Sequence, residues 1–231
     1  MNSAKTIKLL IKQAKYAENI RNYQEAEILW RSVIKQKPDH VLAYVRLAKL
    51  LSYQNKTEAA LTVYQQALLI EPSVQIYTDL GVWLLDIQKL EDAIAAFRQV
   101  IALEPNGDNE YIYRMLATAL IQQGKLDEAL AICHQVIELN YHLQTCLITG
   151  QAIYDKQGFF SVMNAFSQFA AKVQPKPISG LYYGLSNYIL FHYSDRNDEA
   201  IAAFQEALRL NPGHQYAAQA LNKLQHKSHD R

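Results

Sequence analysis

The stretch Glu58-Ala59-Ala60-Leu61-Thr62-Val63-Tyr64 returns as Glu91-Asp92-Ala93-Ile94 with Phe97, and as Asp127-Glu128-Ala129-Leu130 with Cys133. Counted from the small residue, the copies sit at Ala26, Ala60, Ala93, Ala129 and Ala200, giving intervals of 34, 33, 36 and 71 residues. The last interval holds one further, degenerate unit, so six units fit. Four residues after each anchor stands Trp30, Tyr64, Phe97, Cys133 or Phe204, and twelve after it Pro38, Pro72, Pro105, Tyr141 or Pro212. A second small residue precedes the anchor by twelve: Ala14, Ala48, Gly81 and Ala117. A fixed period of this length marks stacked repeats, each burying its apolar face only against its neighbours.

Each position has a physical reason. Antiparallel helices approach closely only where side chains are small, which predicts crossings of Ala48 on Ala60 and of Gly81 on Ala93. Tyr44, Tyr64, Tyr77, Phe97, Tyr113 and Phe204 fill the space between neighbouring helices. The prolines cannot continue a helix and so end each unit. Glu58, Glu91 with Asp92, Asp127 with Glu128, and Asp198 with Glu199 fall in the first turn of each second helix, where they complement its positive end. In the fifth unit Gly150 and Phe166 align with the small and aromatic positions, but Val162 replaces the anchor alanine. Gln174-Pro175-Lys176-Pro177 then predicts a stretched linker before the sixth unit. That unit takes two extra residues in its internal turn, around Tyr193-Ser194-Asp195, if Tyr182, Leu185 and Ser186 form its first-helix signature.

Composition agrees with an all-α chain. Hydrophobic residues make up 50% of the 231, with only 8 Gly and 6 Pro, and the apolar positions run at helical spacing throughout. His214 to His226 reads as a capping helix, with Tyr216, Ala217, Ala220, Leu221 and Leu224 on one face. Lys5, Lys8, Lys12 and Lys15 interrupt any apolar run at the N-terminus, so no signal peptide is read there. No stretch reaches the roughly 20 apolar residues that span a bilayer. Cys133 and Cys146 fall at core positions and read as packed thiols. Residues 1–50 hold ten Lys or Arg against four Asp or Glu, and 51–110 hold three against nine. Such asymmetry can steer an acidic partner or drive head-to-tail association.

Motifs for chemistry are missing. There is no phosphate-binding glycine loop, His-Glu-x-x-His, Cys-x-x-Cys or Gly-x-Ser-x-Gly. His226 and His229 are spaced for a metal, but frayed terminal residues commonly look like this, and neither a metal nor a cofactor is expected. The paired carboxylates are accounted for by the helix ends. Near-neutral charge and the absence of a repeated polar pair disfavour nucleic acid.

These helix pairs resemble the tetratricopeptide repeat (TPR) family, whose helix A carries an aromatic, a Leu-Gly or Leu-Ala step and an aromatic, and whose helix B carries Ala, an aromatic, Ala and Pro. The resemblance implies a right-handed α-solenoid of about six helix pairs, units near 7–40, 41–73, 74–107, 110–142, 143–177 and 179–213, in one domain closed by the capping helix. It also implies that helix A residues line a concave groove. Carried onto this register, the groove residues are Lys12 and Lys15; Arg46, Lys49 and Tyr53; Asp79; Tyr111, Arg114 and Thr118; Gln151 and Tyr154; and Tyr183 and Asn187. The chain departs from the family's carboxylate clamp for chaperone tails, since Ile11, Lys15, Arg46, Gln75 and Asp79 stand at the matching positions. The expected function is a non-catalytic, cytoplasmic scaffold or adaptor that binds a protein or peptide with acidic and apolar segments. The alternative is a self-assembling module whose basic first unit docks on another copy.

Overall fold

The computed structural model describes residues 3–139, 143–171 and 175–229. Among these residues the chain is all-α, with thirteen helices and no strand. They fall into two compact units. The first, Met1–Gly107, holds α1 (Ser3–Asn19), α2 (Tyr23–Gln36), α3 (Val41–Tyr53), α4 (Thr57–Ile70), α5 (Val74–Asp86) and α6 (Leu90–Leu103). The second, Asp108–Arg231, holds α7 (Glu110–Gln123), α8 (Leu126–Glu138), α9 (Gln144–Gln157), α10 (Phe159–Ala170), α11 (Pro175–His192), α12 (Asn197–Leu210) and α13 (Gln215–His229). Consecutive helices pair as the period predicts, with α1, α3, α5, α7, α9 and α11 as A helices and α13 as the added last helix.

The repeat positions form the core. Ala26, Ala60, Ala93, Ala129, Val162 and Ala200 are fully buried, and so are Trp30, Phe97, Cys133, Phe166 and Phe204, with Tyr64 nearly so. At Gly81 the tightest approach is made by the ring that follows the anchor. The atoms nearest Gly81 belong to Phe97, not Ala93: a methyl group placed on Gly81 would lie 2.8 Å from Phe97 Cε1. Gly150 meets its own pair's ring in the same way, 2.6 Å from Phe166 Cε1 and closer still to Cζ, with Val162 Cγ2 at 3.3 Å. The small residue therefore seats the aromatic that follows the anchor. In α11 Ser186 is buried and donates its hydroxyl to the Tyr182 carbonyl at 2.7 Å. Both thiols are free and buried, and Cys146 Sγ lies 3.7 Å from the Cys133 carbonyl oxygen.

Four A-to-B turns share one geometry. After α1, α3, α5 and α7, the left-handed position is taken by Arg21, Asn55, Gln88 and Gly124, with φ between 57° and 84°. At each, the next residue's N–H reaches back five residues and the left-handed residue's own N–H closes the shorter bond, as in Asn22 to Ala17 at 2.8 Å and Arg21 to Glu18 at 2.9 Å. This double closure satisfies helix-end carbonyls. Only the last of the four uses glycine, so the others carry a steric cost of about 1 kcal/mol, least for Asn55. Asn22, His40, Ser73 and His214 accept first-turn N–H groups at the starts of α2, α3, α5 and α13.

The linker expected around Gln174-Pro175-Lys176-Pro177 is corrected in part. Pro175 and Pro177 open α11, because the first turn of a helix has no intrahelical use for its N–H groups and a fixed φ suits it. Gln174 lies outside the described residues, as do Tyr141 and the side chains of His226 and His229. The turn before α12 spans 193–196, longer than the two or three residues of the turns after α1, α3, α5 and α7, as the sixth unit's spacing requires.

Candidate functional site

In the first unit, polar rungs join successive A helices. Glu18 on α1 accepts from Trp30 Nε1 at 2.6 Å with one oxygen and from Arg46 Nη1 of α3 at 3.4 Å with the other. Lys49 of α3 pairs with Asp79 of α5 at 2.7 Å, and Gln75 Nε2 donates to the second Asp79 oxygen at 3.1 Å. Of the candidate residues, Lys49 and Asp79 are thus paired with each other and Arg46 with Glu18, each tied to a partner of the chain's own. Burial first, and then the nearby Asp79 carboxylate, push the Tyr64 hydroxyl upward. On the B-helix side, Lys56 reaches back to Glu27 at 2.8 Å and Lys89 to Glu58 at 3.4 Å. Burial would raise the Glu27 carboxyl, yet Lys56 and Arg31 outweigh it and hold the group below its ordinary range.

The lysines of α1 differ. Lys5, Lys8, Lys12 and Lys15 are all exposed, and among the described residues none has a carboxylate within ion-pair distance. Like charges three and four residues apart on a helix repel, and among the described residues no ion pair offsets them. Lys12 also lines an open groove of about 510 Å³ between α1 and α2, together with Leu9, Tyr16 and Ile20. Those three apolar side chains are each more than half exposed. Tyr53, at the end of α3, is 71% exposed with its ring 6.4 Å from that of Tyr23.

In the second unit the predicted residues have separate fates. Tyr111 is 44% exposed, with the Arg114 guanidinium 5.5 Å from its ring centre, a cation–π pairing of two candidate residues one turn apart. Thr118 donates its hydroxyl to the Arg114 carbonyl at 2.8 Å and so is used within its own helix. Gln151 is half-buried, and Asn187 is exposed with its amide on the Tyr183 carbonyl at 2.8 Å.

Tyr154 is 3% exposed and leaves the candidate surface. Its hydroxyl donates to Glu199 at 2.5 Å, while its ring stands 5.2 Å from that of Tyr193 and under the Arg196 guanidinium. Burial first and the Glu199 carboxylate second raise this hydroxyl to about 12, against the opposing Arg196. Tyr188 and Tyr193 donate to the two oxygens of Asp155 at 2.6 and 2.8 Å. Tyr183 is likewise engaged, its ring 5.9 Å from Phe204, 4.9 Å from His214 and 6.4 Å from Tyr216, holding α13 against α11 and α12.

A feature missed by the reading of single positions is an open cleft of about 590 Å³, lined by Glu110, Leu143, Gln144, Leu147, Pro177, Gly180 and Leu181. It lies along the N-terminal ends of α7, α9 and α11. The available signal was the pair Gly180 and Gly184, four apart in a helix. Among the described residues no helix is long and apolar enough to cross a membrane, and no group of three or more metal-binding side chains gathers.

Sequence models of the tetratricopeptide repeat match residues 11–73, 45–108, 84–142 and 181–214. The gap between the last two matches, 143–180, holds the fifth pair with its Val162 anchor. The chain is 24% identical over 191 residues to the human protein O-mannosyl-transferase TMTC1, covering 81% of this chain and 21% of that protein. It is 32% identical over 99 residues to the uncharacterized protein y4yS of Sinorhizobium fredii, covering 42% of this chain and 53% of that one. The chain thus spans about a fifth of the first relative and about half of the second. Among solved structures, pilF of Pseudomonas aeruginosa matches 96% of this chain and 100% of its own with a TM-score of 0.55 at 15% identity. PilW, a type IV pilus biogenesis factor, matches 94% and 98% with a TM-score of 0.53 at 16% identity. Repeated sequence, helix pairs and structural likeness agree, and the chain belongs to the tetratricopeptide repeat family, whose fold serves generally as a scaffold for protein–protein interaction.

Proposed function

We propose that this chain is a non-catalytic scaffold whose A helices hold a partner segment that is acidic and apolar. The observation that carries this is the α1 face, where four exposed lysines without ion partners adjoin the exposed Leu9, Tyr16 and Ile20. A segment bearing carboxylates beside aliphatic side chains would relieve the lysine repulsion and cover the apolar groove at once. Arg46 adds to this surface, because its bond to Glu18 is long and exposed, and an incoming carboxylate can compete for it at little cost.

The test is fluorescence anisotropy with a labelled Glu/Leu peptide, against wild type and Lys12→Glu/Lys15→Glu. Binding that weakens at least tenfold in the variant, and falls with added salt, supports the reading. Equal affinity for both proteins overturns it. Sedimentation at low and high salt, without peptide, distinguishes the self-assembling alternative: a mass that grows at low salt would make another copy the partner.

A further inference from the structure

Seven of the eight glycines have a structural reason or lie outside any helix. Gly81 and Gly150 seat aromatic rings, Gly124 and Gly158 take positive φ, and Gly107 and Gly213 stand between helices. Gly184, inside α11, makes room for Leu147 of α9, whose Cδ1 would lie 2.8 Å from an added methyl group. Gly180, one turn earlier in the same helix, has no such neighbour. Among the described residues nothing lies within 4 Å of where its Cβ would be. Glycine inside a helix destabilises it relative to alanine, so packing does not account for Gly180. The residue instead forms part of the 590 Å³ cleft.

The neighbouring turn shows what fits. Leucine from α9 lies over Gly184; over Gly180 the helix surface is open and flanked by Leu143, Leu147, Pro177 and Leu181. Among the described residues Glu110 is the one charged side chain lining the cleft, and no ion pair holds it. Resting on the reading that A helices bind peptide segments, we infer that this cleft is a distinct site for an extended peptide, with an aliphatic side chain seated against Gly180 and a lysine or arginine beside it facing Glu110. The missing Cβ lets the peptide backbone approach the helix, and the cleft volume lies within the range of ligand sites, about 300–1,000 Å³.

This site predicts effects of opposite sign from one methyl group. Gly180→Ala has open space to occupy and removes a helix-weakening residue, so its Tm rises by roughly 2–4 °C. The same methyl obstructs the peptide. Anisotropy with three labelled, end-blocked twelve-residue peptides in a Gly/Ser background tests this, their central pair being Leu-Lys, Leu-Glu or Ala-Lys. Wild type binds Leu-Lys at least tenfold more tightly than either other peptide. Gly180→Ala loses at least tenfold affinity for Leu-Lys, and Glu110→Gln loses its preference over Leu-Glu. A fall in the Tm of Gly180→Ala, or unchanged Leu-Lys affinity in that variant, overturns the inference. So does equal binding of all three peptides to wild type. If the Glu/Leu peptide still binds the α1 lysines while Leu-Lys does not bind, only this inference fails; if neither binds, both readings fail.

Discussion

Successive A helices are tied by different means in the two units. In the first, Glu18 with Arg46 and Lys49 with Asp79 form charged rungs whose cations are each more than a third exposed. In the second, α9 is joined to α11 and the turn after it by Tyr188 and Tyr193 on Asp155, and to α12 by Tyr154 on Glu199. The charged rungs are individually weak, about 0–1 kcal/mol, and sensitive to salt. The tyrosine junction buries the Tyr154 ring and satisfies all three hydroxyls, but it consumes side chains that the repeat would otherwise present. A residue's place in the repeat fixes its face; what approaches that face decides whether it binds a partner or the protein itself.

The largest expected effect lies at the junction. Tyr154→Ala removes a buried ring together with its hydroxyl bond to Glu199, which costs about 3–4 kcal/mol. Tyr53→Ala, at an exposed helix end, changes stability by less than about 0.5 kcal/mol. Urea denaturation of both variants measures the contrast, and equal losses would erase it. Next is the crossing within the fifth pair. Gly150→Ala drives a methyl group into Phe166 and costs about 1–3 kcal/mol, and Phe166→Leu in the same chain recovers part of the loss. A fully tolerated Gly150→Ala would mean that the ring does not need the missing side chain.

Smaller effects belong to the first unit. Arg21→Gly relieves a left-handed backbone at φ 58° and raises stability by about 1 kcal/mol. A loss would show that the Arg21 side chain does more than occupy the turn. Glu27 gives the smallest effect. Its carboxyl is held below its ordinary range by Lys56 and Arg31 against the effect of burial, so its contribution is fully present above the unfolded glutamate value near 4.3 and is lost as the pH falls through the lower folded value. Urea midpoints of wild type and Glu27→Gln should differ by up to about 1 kcal/mol at pH 7 and converge below about pH 4. Parallel pH profiles would contradict the assignment.

The fold was legible because the period combines two independent demands, a small residue on helix A and a small residue followed by a ring on helix B. Even the degenerate fifth pair kept Gly150 and Phe166. What the ring touches was less legible, since spacing places Gly81 and both Ala93 and Phe97 on facing surfaces without choosing between them. Pro175 and Pro177 were misread because proline breaks a helix interior and suits a helix start, and sequence alone does not say which applies. Tyr154 was misjudged because its partner Glu199 arrives from 45 residues further along. The turns at Arg21 and Gln88 lack the glycine that would have announced them.

Hydrogen exchange of the whole chain, with and without the Glu/Leu peptide, addresses the scaffold reading most directly. The account predicts slowed exchange in α1 over residues 5–20 and in the facing part of α2, with the tyrosine junction unchanged. Protection confined to the second unit, or none at all under saturating peptide, would contradict it.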